Sequence, residues 1–560
     1  MSYKKLKKSS RDLLRNVNKA FDSKMFRVSV FIISALILFA AAIFYGYKSA
    51  QIHMSNSDQL IDIFMFSDAE AFRESVFPSS HSFFFKWPIF AIASQFTSYE
   101  MFIILTIVIT VITVFFMALA SYFISGKSLK ITAISCLSIA ITMLLTPIQT
   151  EPGHPLPVGI GMITTRNLEF IVFAAILYLM TKTEKIKSWK FWLGAVLLAV
   201  IGASDALFLE TAMLATLIFG IFIYIRDRSK KIEKRAVLPF ISSIIAFLLA
   251  KITIFLISYF NITSFTASHG LKTADSIQQI FDQFLNSIQA IFINFGAPVF
   301  GVSGKKISVY FISFAIMCFA CFAIFYVIKH WWKKTKKDES KLNFLFLYIL
   351  ATFAAFFAFI CTSHGELENA RYVQIVWFAG IFSLSYFMTK INKKIIPWTI
   401  IFLIFASPVI FLASKIVINN YEKTTEMEYH LPSSRVVDIL NKEKIDVLVG
   451  QFWRVIPAKV EKPELVTVGL DGKCNLPSGG GKFSKAWISR GEYSRSALLL
   501  NQTGISPDNE PYFISECSES GIREIYGKPV KSMTLQEEPE GPLMKIYLYN
   551  YDIREKIKIQ

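Results

Sequence analysis

Charge is scarce in this sequence. Asp, Glu, Lys and Arg make up 18% of its 560 residues, against about 25% in an ordinary soluble protein. The charges that exist cluster between long apolar runs, which excludes a soluble enzyme and fits the membrane class. Cysteine is scarce too, and six residues are too few for a disulfide scaffold. Zinc patterns of the His-x-x-His and His-Glu-x-x-His kinds are missing. Pro477–Lys482 invites a phosphate-loop reading, but Phe483 stands where Ser or Thr is required and the upstream glycine is lacking. Nothing suggests haem, flavin, nucleotide or nucleic-acid binding. Internal repeats and low-complexity tracts are also absent.

What the chain has in quantity is apolar surface: 53% of it is hydrophobic and 15% aromatic. A helix needs about 20 apolar residues to cross a bilayer. Candidate spans are 25–47, 101–124, 131–147, 168–181, 191–204, 208–226, 237–260, 307–328, 342–361, 373–389 and 396–417. The run at 191–226 is split at Gly202–Asp205, because basic clusters flank both ends and require a hairpin. The run that begins near Met25 is too long for a signal-peptide core and has no small-residue cleavage pattern, so it reads as a retained first span.

Cytoplasmic loops of membrane proteins are enriched in Lys and Arg. With the basic N-terminus inside, alternate loops at 126–130, 182–190, 226–235, 329–341 and 390–394 also fall inside, and all are Lys/Arg-rich. The loops at 48–100, 147–167, 202–207, 261–306 and 362–372 fall outside and are acidic or mixed. One topology satisfies every loop, and the net charge of +18 follows from it. The expected organisation is a basic cytoplasmic segment 1–24, a transmembrane domain 25–418, and an extracytoplasmic domain 419–560. The last reads as a small α/β domain. A helix is expected at Arg435–Asn441, and strands at Ile445–Gly450, Glu464–Leu470, Trp487–Ser489, Ala497–Leu500 and Leu543–Tyr549. Cys136, Cys318, Cys321 and Cys361 lie in spans as packing residues. Cys474 and Cys517 lie in the tail, where an oxidising compartment allows them to pair.

The outside loops carry the candidate chemistry. His81–Pro88 and Ser287–Phe300 read as helices lying in the membrane surface. The first outside loop holds Asp58, Asp62, Asp68, Glu70 and Glu74. Asp58 and Asp62 are four apart and share a helix face. A carboxylate there can deprotonate an acceptor hydroxyl or hold a divalent cation against a phosphate; a solvated acidic face has the same pattern. Asp205 and Glu210 interrupt an apolar stretch, as cavity lining or as a cap with one buried carboxyl. Lys251 lies inside an apolar run, where it snorkels, pairs with Glu210 or binds phosphate. His154, Arg166 and Glu169 are the polar points of the 147–169 segment, and Arg166 precedes a helix start suited to an anion. His364, Glu366, Glu368, Arg371 and Tyr372 crowd the last outside loop. Arg371 is the preferred phosphate ligand, since a guanidinium forks onto phosphate oxygens.

This layout resembles the polytopic GT-C glycosyltransferases, which include oligosaccharyltransferases, protein O-mannosyltransferases and bacterial lipid A aminoarabinose transferases. The pieces that carry the resemblance are Asp58–Asp62 after the first span, a surface helix around Phe83–Phe96, Ala370–Tyr372 in a late outer loop, and the tail from Asn419. The family often has Asp-x-Asp, Glu-x-Asp or Asp-Glu in the first loop, whereas this chain has four-residue spacing. The resemblance implies a polyprenyl-phosphate sugar donor and a glycan, lipid or protein acceptor on the outer face. It makes Asp58 or Asp62 the base, places phosphate on Arg371, Lys251 and Arg166, and lines the cavity with His81, His154, Glu169, Asp205, Glu210, His364, Glu366 and Tyr372. Metal use is left open by the Asp58–Asp62 spacing. Two other classes compete. A flippase or transporter of lipid-linked glycans usually shows repeats and broken helices. A polysaccharide polymerase or membrane acyltransferase needs no acidic first loop. The Lys-, Ile- and Phe-rich composition points to a bacterial inner membrane.

Overall fold

The computed structural model describes residues 23–53, 57–78, 84–95, 99–147, 149–151, 154–155, 160, 166–227, 234–266, 273–298, 300, 304–333, 338–362, 371–422, 434–470, 483–489, 491–505, 511–513, 517–536 and 543–557. In lipid every backbone polar group must be satisfied internally, so apolar runs fold as helices. The first is α1 (Lys24–His53). A loop with α2 (Ser57–Phe66), α3 (Ala69–Arg73), strand β1 (Ser75–Pro78) and α4 (Trp87–Ala93) follows. Next come α5 (Tyr99–Ile124), α6 (Leu129–Leu144), the short strands β2 (Gln149–Glu151) and β3 (His154–Pro155), and α7 (Leu168–Thr181). After them stand α8 (Trp189–Ser204), α9 (Ala206–Asp227), α10 (Lys234–Tyr259), strand β4 (Ser264–Thr266) and α11 (Ile277–Asn294). The bundle ends with α12 (Gly304–Trp332), α13 (Glu339–Cys361), α14 (Ile375–Met388) and α15 (Ile395–Glu422).

Each of the eleven apolar intervals coincides with one of these helices, and the break at Asp205 falls where the sequence places it. Among the described residues, seven helices are long and apolar enough to cross a membrane. The other four, α6, α7, α8 and α14, have 14 to 16 residues. At 1.5 Å per residue they reach about 21–24 Å, short of a hydrocarbon core of about 30 Å. Helices α6 and α14 are buried almost throughout, so they are surrounded by protein. The surface helix expected at Ser287–Phe300 begins earlier, at Ile277, and ends at Asn294. Of the His81–Pro88 stretch, residues 81–83 lie outside the described residues, Phe84–Lys86 form a 3-10 turn, and Trp87 and Pro88 begin α4.

The loops sort onto two ends of the bundle. At one end β1 pairs with β4 and with the C-terminal domain. There too the amide of Phe85 donates to Ser204 Oγ at 3.2 Å, and Thr273 bridges Thr362. With Arg166 of the second loop paired to Asp205 of the third, all five loops read as outside meet one another or the C-terminal domain. At the other end Arg226 donates to the Trp331 carbonyl and lies near Glu339. Lys341 donates to the Ile124 carbonyl, and Lys390 pairs with Asp338. These are loops read as inside.

The C-terminal domain holds α16 (Ser434–Lys442), β5 (Val447–Gln451), α17 (Phe452–Glu461), β6 (Val466–Leu470), β7 (Phe483–Ser484) and α18 (Lys485–Ser489). It continues with β8 (Ser496–Ile505), β9 (Pro511–Phe513), β10 (Cys517–Ser518), α19 (Glu519–Tyr526), β11 (Lys531–Gln536) and β12 (Leu543–Tyr549). Strand β8 is central, parallel to β5 and antiparallel to β12, and β6 extends the sheet beyond β5. Side chains alternate along β5: Leu448 faces the core shared with α16 and α17, while Val447 and Val449 face the core under α19. The strand expected at Trp487–Ser489 is instead the end of helix α18, where Ala486, Trp487 and Ile488 are all buried. Three consecutive buried residues suit a helical turn packed from several sides better than a two-faced strand. The cysteines in the bundle are free. Cys474 lies outside the described residues, and the side chain of Cys517 is not described.

Candidate functional site

Two buried ion pairs stand side by side where the first, second and third of these loops meet. Asn167 caps α7, its Oδ1 accepting from the Leu168 amide. Glu169 follows in the first turn, where the helix dipole favours a carboxylate. Lys86 ends the 3-10 turn before α4, whose Pro88 suits a helix start. Its ammonium is fully buried, donates to Asn167 Oδ1 at 2.9 Å and lies 3.1 Å from Glu169 Oε1. Asn167 Nδ2 in turn donates to the Ile160 carbonyl. Burial pushes the Lys86 ammonium down from its ordinary value, and Glu169 opposes that push.

The second pair joins Arg166 to Asp205 by one hydrogen bond and one close ionic contact. Arg166 Nη2 donates to Asp205 Oδ1 at 3.0 Å, and its Nε lies 2.5 Å from Oδ2. Asp205 Oδ1 also accepts from the Leu207 amide, so the same carboxylate starts α9. The Arg166 guanidinium lies 4.3 Å from the centre of the Tyr372 ring. Together Lys86, Glu169, Arg166 and Asp205 carry no net charge. Arg166, expected to bind phosphate, is committed to Asp205 and Tyr372.

Arg371 is placed differently. Its guanidinium stands 5.6 Å from the same Tyr372 ring, and its Nε is a buried donor with no hydrogen-bond partner among the described residues. One turn on, Gln374 is 3% exposed and its Oε1 is a buried acceptor with no partner among the described residues. Buried polar groups are nearly always paired, so this turn presents a donor and an acceptor that a ligand or water can satisfy.

Glu210 and Lys251 sit on the exposed flanks of α9 and α10. The Lys251 ammonium lies 5.6 Å from the Phe247 ring, and both Lys251 and Asp205 are within electrostatic reach of Glu210. Charged groups thus continue from the buried pairs to the outer flank of the bundle.

Helix α2 carries Asp58 and Asp62 one turn apart, as the spacing predicts. Asp62 is fully buried; the side chain of Asp58 is not described. Phe66, at the end of α2, packs on Trp87, the neighbour of Lys86. His81, His364 and Glu366 lie outside the described residues, and His154 lies in β3 with its side chain not described. Among the described residues no three His, Cys, Asp or Glu side chains gather around a metal position.

Sequence reasoning missed Lys86, Asn167 and Gln374. Lys86 had a signal, as the single cation in the aromatic run from Phe83 to Trp87. Asn167 and Gln374 had none, because an isolated amide beside a helix start is common. No protein-family model matches the chain, and no curated protein matches it in sequence.

Proposed function

We propose that this protein is a membrane-embedded glycosyltransferase of the GT-C kind. It moves a sugar from a polyprenyl-phosphate donor to a glycan, lipid or protein acceptor. The Lys/Arg-rich end of the bundle faces the cytoplasm of a bacterial cell, the eleven apolar segments carry the chain back and forth across the inner membrane, with the four short helices completing their crossings against protein, and the end that holds the buried ion pairs faces outward.

The observation that carries this reading is the unspent donor of Arg371, beside a tyrosine flanked by two guanidiniums. A guanidinium with a free edge suits a phosphate that must be gripped and then released as a leaving group. Lys251, on the outer flank in the apolar phase, meets the donor phosphate as it enters sideways from the bilayer. Arg166, neutralised by Asp205, holds Tyr372 in place beside it. Asp58, on the helix that also bears Asp62, takes the proton from the acceptor hydroxyl. The acceptor oxygen then attacks the anomeric carbon, the bond from that carbon to the phosphate oxygen breaks, and its electron pair stays on the phosphate. No nucleotide takes part.

The test is donor binding by purified protein in lipid nanodiscs, with polyprenyl monophosphate as the probe. Arg371→Ala weakens binding by roughly tenfold to a hundredfold, the scale of a lost charge-assisted bond. Arg371→Lys recovers little, since an ammonium does not fork. Equal binding by all three forms removes Arg371 from the phosphate site.

A further inference from the structure

Helix α2 has ten residues. A helix shorter than about 12–15 residues is marginal by itself in water and depends on tertiary packing. The packing comes from two sides. On one side Phe66 meets Trp87 and Phe90 of α4, with ring centres 5.9 Å away in each case. On the other side stands the C-terminal domain: Leu60, Ile61 and Phe64 share one apolar core with Val455, Ile456 and Trp487.

The domain also fastens the segment that follows α2. Strand β7 pairs with β1, matching Val76 with Phe483. Ser484 Oγ donates to the Ala71 carbonyl at 2.8 Å, and the Lys485 amide donates to the Glu74 carbonyl at 3.2 Å. Lys459 of α17 closes the junction. Its ammonium donates to the Pro463 and Leu465 carbonyls at 2.8 and 2.7 Å. It lies 5.8 Å from the Phe64 ring and 5.6 Å from the Trp487 ring.

We propose that the C-terminal domain is the clamp that positions α2, with Trp487 and Lys459 as the positioning residues that act through Phe64. The domain thereby fixes Asp58 and Asp62, and through Phe66 and Trp87 the turn that carries Lys86. It is a working part of the outer face and not a separate module tethered to it. The catalytic half of this inference rests on the transferase reading; the clamp itself does not.

The experiment is hydrogen exchange on the full chain in nanodiscs, comparing wild type, Trp487→Ala and Lys459→Met. Residues 57–74 are the reporter, with 168–181 and 543–549 as controls. The clamp predicts that exchange of 57–74 quickens by roughly tenfold or more in Trp487→Ala while the controls hold. It also predicts a smaller gain in Lys459→Met, which removes the bonds to the Pro463 and Leu465 carbonyls that even a neutral amine donates. Unchanged exchange of 57–74 in both variants overturns the clamp. If Trp487→Ala loosens strand 543–549 as well, Lys459→Met decides the matter, with the same two outcomes. Transfer kinetics are read in parallel: the clamp predicts a fall in kcat with little change in KM for the donor. Loosened exchange with no transfer by the wild type upholds the clamp and overturns the transferase reading.

Discussion

Arg166 lays its guanidinium over the ring of Tyr372, 4.3 Å from the ring centre, while it is paired with Asp205. One side chain thus ties the loop before α7, the break between α8 and α9, and the turn that carries Arg371. Two such charges inside a protein are costly to desolvate, and they stay buried only because each satisfies the other.

The first prediction follows from that cost. Arg166→Met leaves Asp205 buried and unpaired, and Asp205→Leu does the same to Arg166. Each single change destabilises by about 3–5 kcal/mol. The double variant carries no stranded charge and unfolds at a higher temperature than either single one. Thermal unfolding in detergent checks the order, and additive losses in the double variant contradict it.

The second concerns Lys86 and Glu169. Lys86→Met strands the Glu169 carboxylate, and adding Glu169→Gln relieves it. Thermal unfolding shows a lower Tm for Lys86→Met and a partial recovery in the double variant. A single variant as stable as wild type shows that the pair is not closed to water.

The third concerns pH. Burial lowers the Lys459 ammonium to about 8, against an ordinary 10.5, while Asp68 and Glu464 pull the other way. Below pH 8 it is charged in both the folded and the unfolded chain. Between pH 8 and 10.5 the unfolded chain binds more protons, so the folded domain gains stability as pH rises. Chemical denaturation followed by the exchange of 57–74 shows this gain in wild type and not in Lys459→Met. An equal slope in both removes Lys459 as its source.

The fourth concerns the outer flank. On the proposed transferase reading, in which Lys251 meets the donor before the chemistry, Lys251→Met raises KM for a bilayer-embedded donor several-fold and changes kcat little. Kinetics in liposomes at fixed donor density measure this. A fall in kcat alone places Lys251 nearer the reacting atoms.

Much of the architecture was legible in the sequence because it rests on period and length. Apolar runs fix helices, Lys and Arg mark one set of loops, and alternation in segments such as Leu543–Tyr549 marks strands. The site was legible only in part. Arg166, Asp205, Glu169 and Tyr372 stood out as polar points, but their pairing is a long-range fact, 39 residues separating Arg166 from Asp205. Lys86 meets Glu169 across more than twice that gap. The strands β1, β4 and β7 were missed for the same reason: each has two to four residues and is held by partners far along the chain. Trp487 was read as part of a strand because aromatic residues favour strands, whereas its burial comes from packing near α2.

The central claim is sugar transfer at the outer face with Asp58 as base. Mass spectrometry of surface glycans and lipid-linked intermediates tests it most directly, in cells carrying wild type or Asp58→Asn at matched expression. The account predicts a defined sugar mass added by the wild type and absent with the variant. The same mass added by both contradicts it.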